Sequence, residues 1–247
     1  MFRTRLAGRG AALLAAIGLF SLHGIASAEN VFSVYSGSSW TRNSDLRISQ
    51  PGAGTALTLQ DVEWGADPLK AAPYYGLRFT HFHERYRNWG GAIDFTHYKM
   101  YGKTERVVPV QGTWKGAPTN GTGRMDQYVQ RFEISHGVNV LSINGIYRWL
   151  DLGFARGRVQ PYVGAGLAYY RPHSENVVDN APHESGYQAS GFGFQVLGGA
   201  HYRFTDRIGA FVEAKFNRGT AEVGIANGEA ETRVRTFHAV AGLSYSF

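Results

Sequence analysis

The chain ends on FHAVAGLSYSF, residues 237–247. In an extended strand Phe237, Ala239, Ala241, Leu243, Tyr245 and Phe247 fall on one face, while Thr236, His238, Gly242, Ser244 and Ser246 fall on the other. A greasy face backed by a polar one marks a strand with only one side against apolar surroundings. Free termini fray, so an aromatic strand that runs to its last atom needs a partner strand to hold it.

The same alternation recurs towards the N-terminus, each time over about 10 residues, the length a tilted strand needs to cross a bilayer. FGFQVLGGAHYRF sets Phe192, Phe194, Val196 and Tyr202 against Gln195, Gly199, His201 and Arg203. IGAFVEAKFN sets Ile208, Val212 and Phe216 against Glu213, Lys215 and Asn217. VLSINGIYRW sets Leu141, Ile143 and Tyr147 against Ser142, Asn144 and Arg148, and YYGLRFTHF sets Leu77 and Phe79 against Arg78 and Thr80. With AIDFTHYKMY (Asp94 opposite Ile93 and Phe95), PYVGAGLAYY and an opening NVFSVYSGSSW, eight segments qualify.

A soluble sandwich would alternate too, but the connections decide between the two. They run long (42–73), short (83–88), long (102–136), short (150–158), long (171–188), short (205–207) and long (218–234). That rhythm predicts an all-β fold: an eight-stranded antiparallel up-and-down transmembrane β-barrel with short periplasmic turns and long external loops. Closure also removes the free strand edges that hydrocarbon does not tolerate. Aromatic girdles are expected at Trp40, Tyr74, Tyr75, Tyr101, Tyr169 and Tyr170 on the loop side and at Tyr86, Trp89, Tyr147, Trp149, Tyr245 and Phe247 on the turn side.

The N-terminus agrees with export. MFRTRLAGRG carries three arginines and no acid, AALLAAIGLF follows, and Ala26-Ser27-Ala28 closes a signal-peptide pattern over 1–28, leaving 29–247 as the barrel domain. Cleavage near Ala28 removes Arg3, Arg5 and Arg9, which takes Lys+Arg from 25 to 22 against 19 acids, a formal charge of +3. The chain therefore lacks a nucleic-acid footprint, and no nucleic-acid partner is expected. It has no cysteine, which excludes disulfides and thiolate metal sites. The expected address is the outer membrane of a Gram-negative bacterium, and the terminal Phe247 resembles the signal read by the outer-membrane assembly machinery.

Eight strands leave a lumen just wide enough to be filled by side chains. Arg78, Asp94, Asn144, Arg148, Gln195, His201, Arg203, Glu213, Lys215 and His238 should therefore pair inside as a charged core and not line a pore. Reactive side chains gather at the external rim: His97 and Lys99 in DFTHYKMY, His136 and Asn139 in HGVNVLSIN, Arg171, His173 and Glu175 in RPHSE. Histidine with carboxylate can hold a divalent metal or move protons. Their spacing matches no H-E-x-x-H, G-x-S-x-G or phosphate-loop pattern, and by itself it reads first as headgroup contact.

The blocks APYYGLRFTHF, AIDFTHYKMY, HGVNVLSINGIYRW, PYVGAGLAYYRPHSE and GAFVEAKFN, in this order, resemble the lipid A oxidase family of α-proteobacterial outer membranes, within the small OmpA/OmpW-like barrels. The resemblance spans most of 73–247 and rests mainly on DFTHYKMY, HGVNVLSIN and RPHSE. It implies oxidation of the proximal glucosamine of lipid A to 2-aminogluconate, with O2 as oxidant and lipopolysaccharide as partner. On that expectation His97, His136, His173 and Glu175 are catalytic. Lys99, Asn139 and Arg171 bind substrate, and His136, His173 and Glu175 are the ligands of a divalent metal. No flavin or NAD fingerprint is present. Two alternatives stay open: a non-enzymatic barrel, adhesin-like or envelope-stabilising, and a lipid A deacylase using Ser174 between His173 and Glu175. The second is disfavoured because neighbours on a strand point to opposite faces.

Overall fold

The computed structural model describes residues 28–69, 73–134, 136–150, 152–188 and 190–247; the signal expected over 1–28 lies outside the described residues except for Ala28. In chain order the strands are β1 (Glu29–Thr41), β2 (Ser44–Gln50), β3 (Thr55–Val62), β4 (Trp64–Gly65), β5 (Tyr75–Phe82), β6 (Trp89–His97), β7 (Met100–Gly102), β8 (Val107–Trp114) and β9 (Ala117–Arg124). They continue as β10 (Val129–Ile134), β11 (Val140–Arg148), β12 (Val159–Tyr170), β13 (His173–Val178), β14 (Glu184–Tyr187), β15 (Gly191–Arg203), β16 (Ile208–Ile225) and β17 (Gly228–Ser246).

Eight of them close a barrel in the order β1-β5-β6-β11-β12-β15-β16-β17, with β17 returning to β1. All neighbours are antiparallel, as the connections predict. The closing register runs from Val31↔Ser246 to Thr41↔Thr236. Beyond it the Asn30 amide donates to the Phe247 carbonyl at 3.2 Å and the Phe247 amide donates to the Asn30 carbonyl at 2.9 Å. The partner that the terminal stretch demands is thus the first strand, and the last residue is tied by two backbone bonds.

Alternation sorts the side chains as expected. Phe79, Ile143, Leu167, Val212 and Leu243 face outward and are exposed, while Arg78, Asp94, Glu213 and Lys215 are buried in the lumen. Arg78 donates to Asp94 at 2.9 Å and to both Glu213 oxygens at 2.6 and 2.7 Å. Lys215 donates to Asp94 at 2.8 Å, and the Tyr35 hydroxyl donates to Asp94 at 2.5 Å. Two cations and two anions therefore neutralise each other across the lumen, with Gln195 and Tyr162 satisfying further lone pairs. Gly76 belongs to this network by what it lacks: a Cβ there would lie 1.9 Å from the Tyr35 ring. Near the periplasmic mouth Arg148 pairs with Glu29 at 2.6 Å and lies 3.5 Å from the Phe82 ring centre.

The external side differs from the sequence reading. The segment 218–234, expected as a long loop, continues β16 and β17 in register from Arg218↔Arg235 to Ile225↔Gly228, turning through Ala226 and Asn227. Asn227 takes the left-handed φ of 57° there, a conformation asparagine tolerates. The expected loops 42–73, 102–136 and 171–188 also carry strands: β2 and β3, then β8 and β9, extend the sheet from the upper half of β17. A separate sheet, β14-β13-β10-β7-β4, comes from all three segments. Leu46, Leu59, Val62, Met125, Val129 and Ile134 are wholly buried in this part of the molecule. At roughly 1.5–3 kcal/mol for each large apolar side chain, their burial offsets the ordering of the cap. Of the expected external girdle, Tyr74 and Tyr170 instead point inward and are buried, and Tyr101 lies in the second sheet. Trp40 and Tyr75 keep their exposed places, and Tyr169 faces outward half-buried.

Candidate functional site: a histidine and carboxylate cluster above the rim

Past the end of β12, Arg171 is exposed and His173 half-buried while Tyr170, Pro172 and Ser174 are buried; Glu175, two places on, is itself buried against Arg131 and His136. His173 and Glu175 lie three and five residues past Tyr170, the last residue of β12, about 10 Å or more along the chain at 3.3 Å per residue. His136 approaches from the turn between β10 and β11. Its Nδ1 lies 2.8 Å from Glu175 Oε1, and its ring centre is 4.7 Å from that of His173. One ligand atom from each of His136, His173 and Glu175 falls within 4.8 Å of the others.

The turn that presents His136 is built by its neighbours. Asn139, with φ 48°, donates from Nδ2 to the carbonyls of His136 at 3.3 Å and Gly137 at 3.0 Å. Its Oδ1 is 2.9 Å from His97 Nδ1, and the His173 amide donates to the Gly137 carbonyl at 3.0 Å. Gly137 has φ 99°, and a Cβ there would sit 2.2 Å from His97 Nδ1. Gly137→Ala is accordingly expected to cost about 1–3 kcal/mol from strain and clash. It should also draw His136 away from Glu175. Urea titration and the histidine ring resonances measure the two effects separately.

The predicted site residues divide into two groups. His136, His173 and Glu175 come together. His97 stands outside their group of ligand atoms, buried against the same turn, stacked on Tyr75 at 4.8 Å and with Nε2 lacking a hydrogen-bond partner. Asn139 spends its amide on the turn. Arg171 is exposed, its guanidinium 5.3 Å from the Tyr187 ring centre, and Lys99 is half-buried between the inward-pointing Tyr98 and Met100. Ser174 points away from its neighbours into the cap, which separates it from His173 and Glu175 as a nucleophile.

Two members escaped the sequence reading. Arg131 donates to Glu133 at 2.8 Å and lies 2.6 Å from Glu175 Oε2. Glu133 and Glu175 are direct cross-strand partners, and like charges so placed repel unless a cation stands between them. The hydrogen bond to Glu133 raises the Arg131 pKa against the opposing pull of partial burial, so the guanidinium stays charged. His183 Nε2 lies 3.8 Å from the same Glu175 oxygen. A signal for it existed: Pro-His occurs at 172–173 and again at 182–183, on either side of a hairpin that pairs His173 with Tyr187.

The donor set suits a metal. Two histidines and a carboxylate are the set used for iron(II) in oxygen-using enzymes and for catalytic zinc. His173 Nδ1 is buried with no hydrogen-bond partner, and Glu175 Oε1 faces His136 while Arg131 engages Oε2.

A closed eight-stranded barrel with a greasy belt, a neutralised charged lumen and a polar external cap defines an outer-membrane β-barrel protein. Residues 83–247 match the Opacity family porin protein, and the chain belongs to that family. No curated protein sequence matches the chain closely enough to count as a relative. Among solved structures, the outer membrane protein OprG from Pseudomonas aeruginosa is similar at 14% identity and TM-score 0.51, over 91% of this chain and 98% of that one. At that identity the likeness concerns the fold alone. Neisserial surface protein A (14% identity, TM-score 0.41, 89% and 97% of the two chains) and the outer membrane protease OmpT from Escherichia coli (12%, 0.42, 92% and 99%) are also similar.

Proposed function

We propose that the protein oxidises the proximal glucosamine of lipid A to a 2-aminogluconate unit with O2, at the outer leaflet. The observation carrying this reading is the meeting of His136, His173 and Glu175 just past the end of β12, whose outward-facing Tyr169 lies four residues before His173, on the side where a membrane-held sugar would lie. In the reaction the reducing carbon of the sugar, its hydroxyl free of phosphate, loses two electrons and two protons to give the lactone. O2 accepts both and leaves as hydrogen peroxide. Water then opens the lactone, so the sugar gains one oxygen in all.

His136, His173 and Glu175 would hold a divalent metal, and a redox-active ion there supplies the electron route to O2 that side chains lack. The protein's own groups do the rest. Arg131 fixes Glu175 through Oε2, and Asn139 fixes the turn that carries His136. His183, whose Nε2 lies 3.8 Å from Glu175, would accept the proton of the sugar hydroxyl. Arg171 and Lys99 offer cations to the phosphate that the lipid keeps away from the reducing carbon.

A non-enzymatic barrel is the second reading, and one observation favours it. The Arg131–Glu175 ion pair at 2.6 Å and the His136–Glu175 contact at 2.8 Å already tie β10, the 136–139 turn and β13 together without any chemistry. Expression in a strain whose lipid A lacks the phosphate on the reducing carbon of the proximal sugar, so that this hydroxyl is free, followed by mass spectrometry of the lipid, separates the two. Gain of one oxygen on the proximal sugar supports the oxidase. An unchanged lipid beside folded protein supports the structural reading, and loss of an acyl chain would point to a hydrolase.

A further inference from the structure

The outer wall over β1, β17 and β16 carries two parallel rows of side chains. The lower row is aromatic: Trp40 pairs across the sheet with Phe237, and Phe237 with Phe216, whose ring centre is 4.7 Å away. The next outward position on each strand is an arginine. Arg42 follows Trp40, and its amide donates to the Arg235 carbonyl at 2.9 Å. Arg235 follows Phe237 and is the direct cross-strand partner of Arg218, which follows Phe216. Three arginines therefore stand side by side in register on neighbouring strands about 4.8 Å apart.

Like charges set directly opposite one another destabilise a sheet. Among the described residues none of these three arginines is in an ion pair. Arg235 donates to the Asn43 carbonyl at 3.0 Å, and its Nε is buried without a partner. The repulsion is relieved where an anion lies between them. Aromatic belts mark the membrane interface, so the level just outside this belt is that of the outer-leaflet phosphates. Arginine forks engage phosphate oxygens in pairs.

We propose that Arg42, Arg218 and Arg235 form a binding row for the phosphates of an outer-leaflet glycolipid, whose acyl chains lie along Trp40, Phe237 and Phe216. This lipid is separate from any sugar at the histidine cluster. β16, which carries Arg218, stands two places round the barrel from β12, with β15 between them, and the cluster lies beyond the end of β12 in the cap.

The test is native mass spectrometry of the full chain with bisphosphorylated lipid A, dephosphorylated lipid A, or inorganic phosphate as the probe. Wild-type protein is expected to retain bisphosphorylated lipid A at least about tenfold better than the Arg42→Gln, Arg218→Gln, Arg235→Gln triple variant. It should prefer it over the dephosphorylated lipid by a similar factor. Equal retention by wild type and triple variant overturns the proposal, as does indifference to the phosphates. Full displacement by equimolar inorganic phosphate also overturns it, because the row would then be a free-anion site. If the triple variant does not fold, the comparison of the two lipids on wild-type protein decides alone. The oxidase reading is read from the oxygenated lipid and this one from retention on the arginine row, so the two fail separately.

Discussion

Asp94→Ala is expected to destabilise the folded barrel by about 3–5 kcal/mol, the range found when one partner of a buried ion pair is removed. Asp94 has no solvent exposure and accepts from Arg78, Lys215 and Tyr35. Without it two buried cations share only Glu213, to which Arg78 already donates twice. The barrel cannot relieve this by opening, because closure is what satisfies its backbone in hydrocarbon. Removing the facing cation should help instead: Lys215→Met added to Asp94→Asn restores neutrality, one cation against one anion. The double variant is expected to recover most of the loss, far from the sum of the two single changes. Urea titration in lipid vesicles, followed by gel mobility of folded and unfolded forms, measures each step. If Asp94→Ala unfolds at the wild-type midpoint, the network does not hold the lumen together.

That network was legible in the sequence because its charges sit on the polar face of otherwise greasy strands, where only a lumen could hold them. The closing pair was legible for the same reason, from an aromatic strand ending at Phe247. The cap was not, although its signals have the same period. Leu46 and Ile48 alternate with Asp45, Arg47 and Ser49, and Leu57 and Leu59 with Thr58 and Gln60. These runs have seven or eight residues, no longer than the shortest barrel strand β5, and carry no aromatic residue for a girdle, so on the sequence they fall among the loops. Asn227-Gly228 is likewise a hairpin signal hidden inside a segment counted as loop. At the site, His173 and Glu175 share a face because they are two apart on a strand. Arg131 and His183 reach Glu175 only through the pairing of β10 and β13 and through the hairpin of β13 and β14, and a sequence does not display register.

The second large effect is expected at Glu175. Glu175→Gln keeps the shape of the side chain but removes the charge that Arg131, His136 and His183 surround. If the cluster is the oxidising centre, this change and His173→Ala should each lower formation of the oxygenated lipid at least about a hundredfold, since even partners of metal ligands cost ten- to a hundredfold. Metal retained by the purified protein should fall in parallel, while the urea midpoint of the barrel stays close to wild type. The barrel's closing register and lumen network lie on other elements, so its folding does not depend on the cap cluster. Ser174→Ala is the internal comparison. That hydroxyl faces the cap interior, so oxidation should continue unchanged, whereas a hydrolase built on Ser174 would stop. Loss of stability without any lipid product to lose would instead assign Glu175 to holding β10, the 136–139 turn and β13 together, and leave the protein a non-enzymatic barrel.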